Sequence, residues 1–166
     1  MLIRSRAIGS AIAASLILAA QPATASTLED TVDVPHLIAA YHEAVVSHDA
    51  ARLTALFVPT GSAWFSVLSD EALARARMKS PGTTKIRPGS LDAFAKLVAT
   101  STSALDPRHA DLRITSDGAV AAVTFKFEFL IDGKVQNRGA ENWQLIKGDD
   151  GWRIVSIVFS STPPGI

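Results

Sequence analysis

The chain has no cysteine, one tyrosine and two methionines in 166 residues. Without cysteine there is no disulfide frame and no thiolate metal site. A surplus of one charge is also missing: sixteen basic side chains stand against sixteen acidic ones. Nucleic-acid binders carry a strong basic excess, so no nucleic-acid partner is expected. Repeats and low-complexity linkers are absent too. What the chain does have is 48% hydrophobic residues, enough for a core, and a length that suits one domain.

The first 25 residues read as an export signal. Arg4 and Arg6 give a short positive start, Ile8 to Ala20 is apolar apart from Gly9, Ser10 and Ser15, and Ala23-Thr24-Ala25 offers a small-x-small cleavage site. The apolar run is shorter than the roughly 20 residues that span a bilayer. The expected protein is therefore periplasmic or secreted after cleavage near Ala25, without a stable membrane anchor, and Ser26–Ile166 forms the single domain. An uncleaved anchor is the competing reading.

The front of that domain is helical. Val34, Ile38, Tyr41 and Val45 recur at helical spacing, with His48 next in line, and Asp33 before Pro35 predicts the N-cap. A second helix is expected over Ala50–Phe57, capped by Asp49 and ended by Pro59 and Gly61. Ser62–Leu68 reads as a strand, Asp70–Met78 as a possible helical turn, and Leu91–Thr100 as a third helix capped by Ser90.

The last third is a meander. Asp-Gly occurs at 117–118, 132–133 and 150–151, between alternating runs, and is the strongest short-range hairpin signal because a type I′ turn needs positive φ at both central residues. Four strands follow: about 108–116, 119–131, 134–147 and 152–160. Along the second, Val123, Phe125, Phe127, Phe129 and Ile131 share one face and Thr124, Lys126 and Glu128 the other. Helices set apart from an antiparallel meander make an α+β arrangement.

The run from Tyr41 and Ala44 through His48-Asp49 and Leu53 to Leu56-Phe57-Val58-Pro59 resembles the opening of the nuclear transport factor 2-like superfamily. The close, Gly139 to Leu145 followed by Asp150 to Val155, is similar to the end of that fold. The superfamily includes SnoaL-like polyketide cyclases, ketosteroid isomerase and scytalone dehydratase. The resemblance implies a cone: a strongly curved sheet wrapped around three helices, with an apolar cavity open at one end. It also implies a possible homodimer through the outer face of the sheet. Fold alone does not set function.

Tyr41 lies on the inward stripe of the first helix, and Glu141 shares a strand face with Trp143 and Leu145. A carboxyl on an apolar face has a raised pKa, and with a phenol beside it could donate hydrogen bonds to a developing oxyanion. Ketosteroid isomerase works by that chemistry, pairing a tyrosine with a protonated aspartate. By resemblance, Tyr41 and Glu141 match those two positions, whereas the isomerase's base falls at about Phe65, which cannot take a proton. His48 is a weaker candidate acid or base; its competing reading is a C-terminal helix histidine bonding a last-turn carbonyl. His36 and His42 are expected in solvent, and His109 opposite Leu112 and Ile114. No pair of histidines has ligand spacing on one helical face, and no metal or cofactor is expected.

The expected pocket is formed by Tyr41, Val45, Trp64, Phe125, Phe127, Phe129, Glu141 and Trp143. The tryptophans also read as ordinary core. The basic run Arg75, Arg77, Lys79, Lys85 and Arg87 reads either as a lip that draws an anionic ligand or as a solvated loop. Three functions remain: a module that binds a small apolar or amphipathic molecule, a lyase or isomerase using Tyr41 and Glu141, or an interaction module using the outer sheet face.

Overall fold

The computed structural model describes residues 30–164. The expected export segment, Met1–Ala25, lies outside them. Among the described residues no helix is long and apolar enough to cross a membrane.

Helix α1 runs over Asp30–Val46, α2 over Ala50–Ala55, α3 over Asp70–Lys79 and α4 over Leu91–Thr100. Strands β1 (Ala63–Leu68), β2 (Ile86–Pro88), β3 (Leu105–Ser116), β4 (Val120–Ile131), β5 (Lys134–Gly148) and β6 (Gly151–Ser161) form one sheet in the order β2-β1-β6-β5-β4-β3. All neighbours are antiparallel except β1 and β6. The fold is α+β, as expected, with a long hairpin series carrying the wall and the helices laid on one face.

Three differences from the sequence reading have local causes. Helix α1 starts before Asp33, so Pro35 sits inside it rather than beside an N-cap. Pro35 is the sixth residue of α1, past the first turn, so the helix goes without one i→i−4 backbone bond there. Asp70–Lys79 is a full helix: Ser69 caps it by accepting from Ala72 N–H at 3.2 Å, and Asp70 and Glu71 suit its positive end. Of the three Asp-Gly turns, only Asp132 (φ 49°) and Gly133 (φ 73°) both have positive φ. At the other two only the glycine does, so those turns are not type I′.

The core joins the sheet's inner face to α1, α2 and α4. Trp143, Leu145, Ile154, Ile157, Val123 and Phe125 meet Val34, Tyr41, Val45, Leu53 and Val98. Helix α3 stands apart over a small cluster of its own, Leu68, Ala72 and Leu73. One glycine is dictated by packing: a Cβ on Gly139 would lie 2.1 Å from the Ser160 carbonyl oxygen, where β5 and β6 pass at backbone contact.

Three bulges set which side chains face inward; the one in β5 leaves Gln136 extra, since Asn137 pairs with Phe129 and Val135 with Leu130. In β3, Ala110 pairs with Lys126 and Arg113 with Thr124, so one extra residue sits on β3, and Asp111 takes φ 57°. In β6 the partner of Gln144 is Ser156 and that of Leu145 is Ile154, which leaves Val155 extra. Each insertion reverses the parity of inward residues beyond it.

Phe127 is buried with its ring edge-on to Phe159 at 5.4 Å, whereas Leu112, inside the β3 bulge, is 43% exposed. Phe127→Ala is expected to lower unfolding free energy by about 3 kcal/mol in urea titrations, and Leu112→Ala by less than about 0.5 kcal/mol. Equal losses would mean the two faces are assigned the wrong way round.

Candidate functional site

A cavity of about 220 Å³ lies between α1, α4 and the inner face of the sheet. Its walls are rings: Trp64 from β1, Phe94 from α4, Phe127 and Phe129 from β4, and Phe159 from β6. Trp64 and Phe94 are 5.2 Å apart, and Phe94 and Phe129 6.0 Å, edge to face. The polar groups on the wall are Tyr41, His109, Glu141 and Asn137.

Each polar group is delivered by a local rule. Tyr41 follows Val34 and Leu37 on the buried stripe of α1. Glu141 alternates with buried Trp143 and Leu145 along β5. His109 pairs with Phe127 across the β3–β4 ladder, so it faces inward with Phe127. The bulge at Asp111 then restores Ile114 to the same face, opposite Val123. The expectation that His109 faces away from Ile114 is therefore overturned: without the bulge the two would point apart. Asp111, an acidic residue inside an otherwise alternating run, is the signal that could mark the bulge.

These three side chains form a cluster. Trp143 Nε1–H donates to Glu141 Oε1 at 2.7 Å, and His109 Nε2 lies 4.0 Å from Glu141 Oε2. The Tyr41 ring is 6.2 Å from the His109 ring and 4.9 Å from Trp143. Burial pushes Glu141 up to about 7, against which the Trp143 bond pulls only partly. Burial, seconded by the charge of His42, pulls His109 down to about 4. Burial and then the Glu141 charge raise the Tyr41 phenol well above its ordinary value. At 4.0 Å the His109–Glu141 pair is too long for a hydrogen bond, and burial keeps both partners neutral, so it is not an ion pair. The cavity thus holds a protonated carboxyl, a neutral imidazole and a phenol: donors and an acceptor together.

The other expected site residues fall elsewhere. Val45, Phe125 and Trp143 are packed in the core behind the cavity wall rather than on it. Phe65 stands on the outer face, 39% exposed, beside Val158. His48 lies outside the cavity. It takes φ 59° at the end of α1, where Asp49 N–H bonds the Ala44 carbonyl at 2.8 Å and His48 N–H that of Val45 at 3.2 Å. Its Nδ1–H donates to the Val98 carbonyl at 2.9 Å, so it pins α1 to α4 rather than closing its own last turn. His42 is not simply solvated: its Nε2 bonds Asp106 Oδ1 at 3.2 Å, and Arg108 Nε bonds the other oxygen at 2.7 Å. Among the described residues, no three His, Asp or Glu side chains are grouped to hold a metal ion.

A cone of sheet around helices, with an aromatic cavity and an acid–base cluster inside, defines the class of protein. Residues 34–164 match the model of the SnoaL-like domain, and the chain belongs to that family. No protein of curated function matches it. Solved structures agree on the fold. An NTF2-like protein with a cystatin-like fold from Novosphingobium aromaticivorans shares 20% identity over 83% of this chain and 85% of its own, with a TM-score of 0.58. A proposed dehydratase of the NTF2-like family from Streptomyces avermitilis shares 19% over 82% and 98%, with a TM-score of 0.59. An NTF2-like protein of unknown function from Shewanella baltica shares 12% over 84% and 99%, with a TM-score of 0.55.

The neutral pair has a pH signature. Glu141, raised from 4.5 to about 7, contributes stability below pH 4.5 that is lost as pH climbs to 7. His109, lowered from 6.5 to about 4, contributes stability above pH 6.5 that is lost as pH falls to 4. Between pH 4.5 and 6.5 the two slopes oppose and cancel. Glu141→Gln is expected to expose a rise of about 1.4 kcal/mol per pH unit from pH 4 to 6.5, and His109→Asn a fall of similar slope from pH 4.5 to 7, in urea titrations compared with the parent. Variant curves that run parallel to the parent's would remove the buried neutral pair.

Proposed function

We propose that this SnoaL-like domain, in an exported protein, binds a small uncharged ring molecule in its interior cavity, with one polar substituent set against Tyr41, His109 and Glu141. The observation that carries the reading is the cavity itself: five aromatic side chains on the walls and a cluster of neutral donors and an acceptor. Its volume of about 220 Å³ is below the roughly 300–1,000 Å³ of sites for drug-sized ligands, which favours a single ring over a fused system. A charged ligand is disfavoured because neither Glu141 nor His109 bears a charge to pair with it near pH 6, and an unpaired buried charge is costly.

Calorimetric titration tests this with p-cresol, benzoate and 2-naphthol. The expected order is p-cresol bound best, with benzoate and 2-naphthol at least tenfold weaker. Phe129→Trp, which fills the hollow, is expected to abolish p-cresol binding while the protein stays folded. Binding of p-cresol unchanged in Phe129→Trp would refute the site.

A second reading is supported by His109. The base position of the related isomerase falls at Phe65, on the outer face, but a neutral imidazole stands 4.0 Å from Glu141. In this reading the domain is a lyase or isomerase: His109 takes a proton from carbon, while Tyr41 and Glu141 donate to the oxyanion that develops. Exchange of the α-protons of cyclohex-2-enone in D₂O, followed by NMR, is expected to be about 10²-fold or more faster with the parent than with His109→Asn. Equal rates would leave binding alone.

A further inference from the structure

We propose a second binding site, independent of the interior cavity: a groove between α3 and the C-terminal segment that takes an amphipathic anion, a carboxylate or phosphate head carrying a short apolar chain. The groove measures about 300 Å³, the liquid volume of roughly ten water molecules, which is room for a head and a short chain. Its floor is apolar. Leu68, Ala72 and Ala76 close it from below, and Pro163 and Pro164 form the far wall. Met78 stands at the edge, 80% exposed, the most exposed large hydrophobic side chain among the described residues.

The rim is cationic. Arg75, Lys79 and Arg87 line the groove and no acidic side chain does. Arg75 is held in place by Glu71 on the same helix and by the Pro163 carbonyl at 3.0 Å. Among the described residues no carboxylate lies within ion-pair distance of Lys79 or Arg87. Charge is sorted along the chain to the same effect. Between Asp70 and Arg87 there are five basic side chains and two acidic ones; over the other described residues there are nine and thirteen. The molecule is therefore positive at this arm and negative elsewhere, which steers an anion to the groove rather than to the sheet. An apolar floor under unpaired cations matches a ligand that is apolar along its length and anionic at its head.

The test is an amide NMR titration with decanoate below its micelle concentration, with decanol and decyltrimethylammonium as controls. Decanoate is expected to move the amides of residues 72–79 and of Arg87 and Thr162. Its affinity is expected to fall at least tenfold in the exposed-site double variant Lys79→Gln/Arg87→Gln, and to fall with added salt. Equal binding of decanol, no change in the double variant, or shifts confined to Phe94, Phe129 and their neighbours would each overturn the groove. Co-sedimentation with phosphatidylglycerol vesicles identifies the source of the anion. Vesicle binding lost in the double variant, together with decanoate shifts, points to a lipid headgroup. Decanoate shifts without vesicle binding point to a free amphiphile. Vesicle binding without decanoate shifts also overturns the groove.

Discussion

The hydrogen bond from Trp143 Nε1 to Glu141 Oε1 joins the candidate site to the core. Trp143 is fully buried and packs on Tyr41 and Phe125, so the carboxyl it holds cannot swing out to water. One donor is too few for a buried carboxylate, which needs several bonds or a counter-charge. Glu141 is therefore kept protonated to about pH 7, and everything near it follows. Below that pH the Tyr41 phenol meets no anion, His109 meets no partner able to charge it, and the cavity keeps a neutral lining; above it the Glu141 charge holds the phenol protonated.

That neutrality shapes the functional reading. Under the proposed binding function, a cavity walled by rings and closed by uncharged donors would select against ions and for compact, polar-tipped ring molecules. The same neutrality suits proton transfer, because a carboxyl near pH 7 can both give and accept. The groove beside α3 works by the opposite physics. It is open, its cations are solvated, and its affinity would be sensitive to salt in a way the interior cavity's would not. The two hollows thus differ in dielectric; Trp64 near the start of β1 lines the cavity and Leu68 at the end of the same strand lines the groove.

Some elements are legible in the sequence because a short-range rule decides them. Asp49 caps α2 by accepting from Arg52 N–H at 2.8 Å, and Ser90 caps α4 the same way, because a side-chain oxygen next to a helix start needs no distant partner. Periods of 3.6 and 2 are enough to place Tyr41 and Glu141 in the interior. The short strand β2 escapes such rules because three exposed residues carry no pattern; they are a strand only because β1 offers them an edge. His48 reads as a helix-end residue, but its partner, the Val98 carbonyl, is fifty residues away and cannot be named from spacing.

By itself the sequence determined the α+β order, the caps of α2 and α4, the alternating face of β4 and β5 and the burial of Tyr41 and Glu141, since each follows from residues within a few positions of one another. Only the tertiary structure decided that His109 joins them, that Phe65 stays outside, and that the hollow is small. Those outcomes depend on a bulge at Asp111 and on the pairing of β1 with β6, which bring together residues about thirty to a hundred positions apart. Inward direction along a strand is a matter of parity, and a single inserted residue reverses it with no more mark in the sequence than one acidic residue, Asp111.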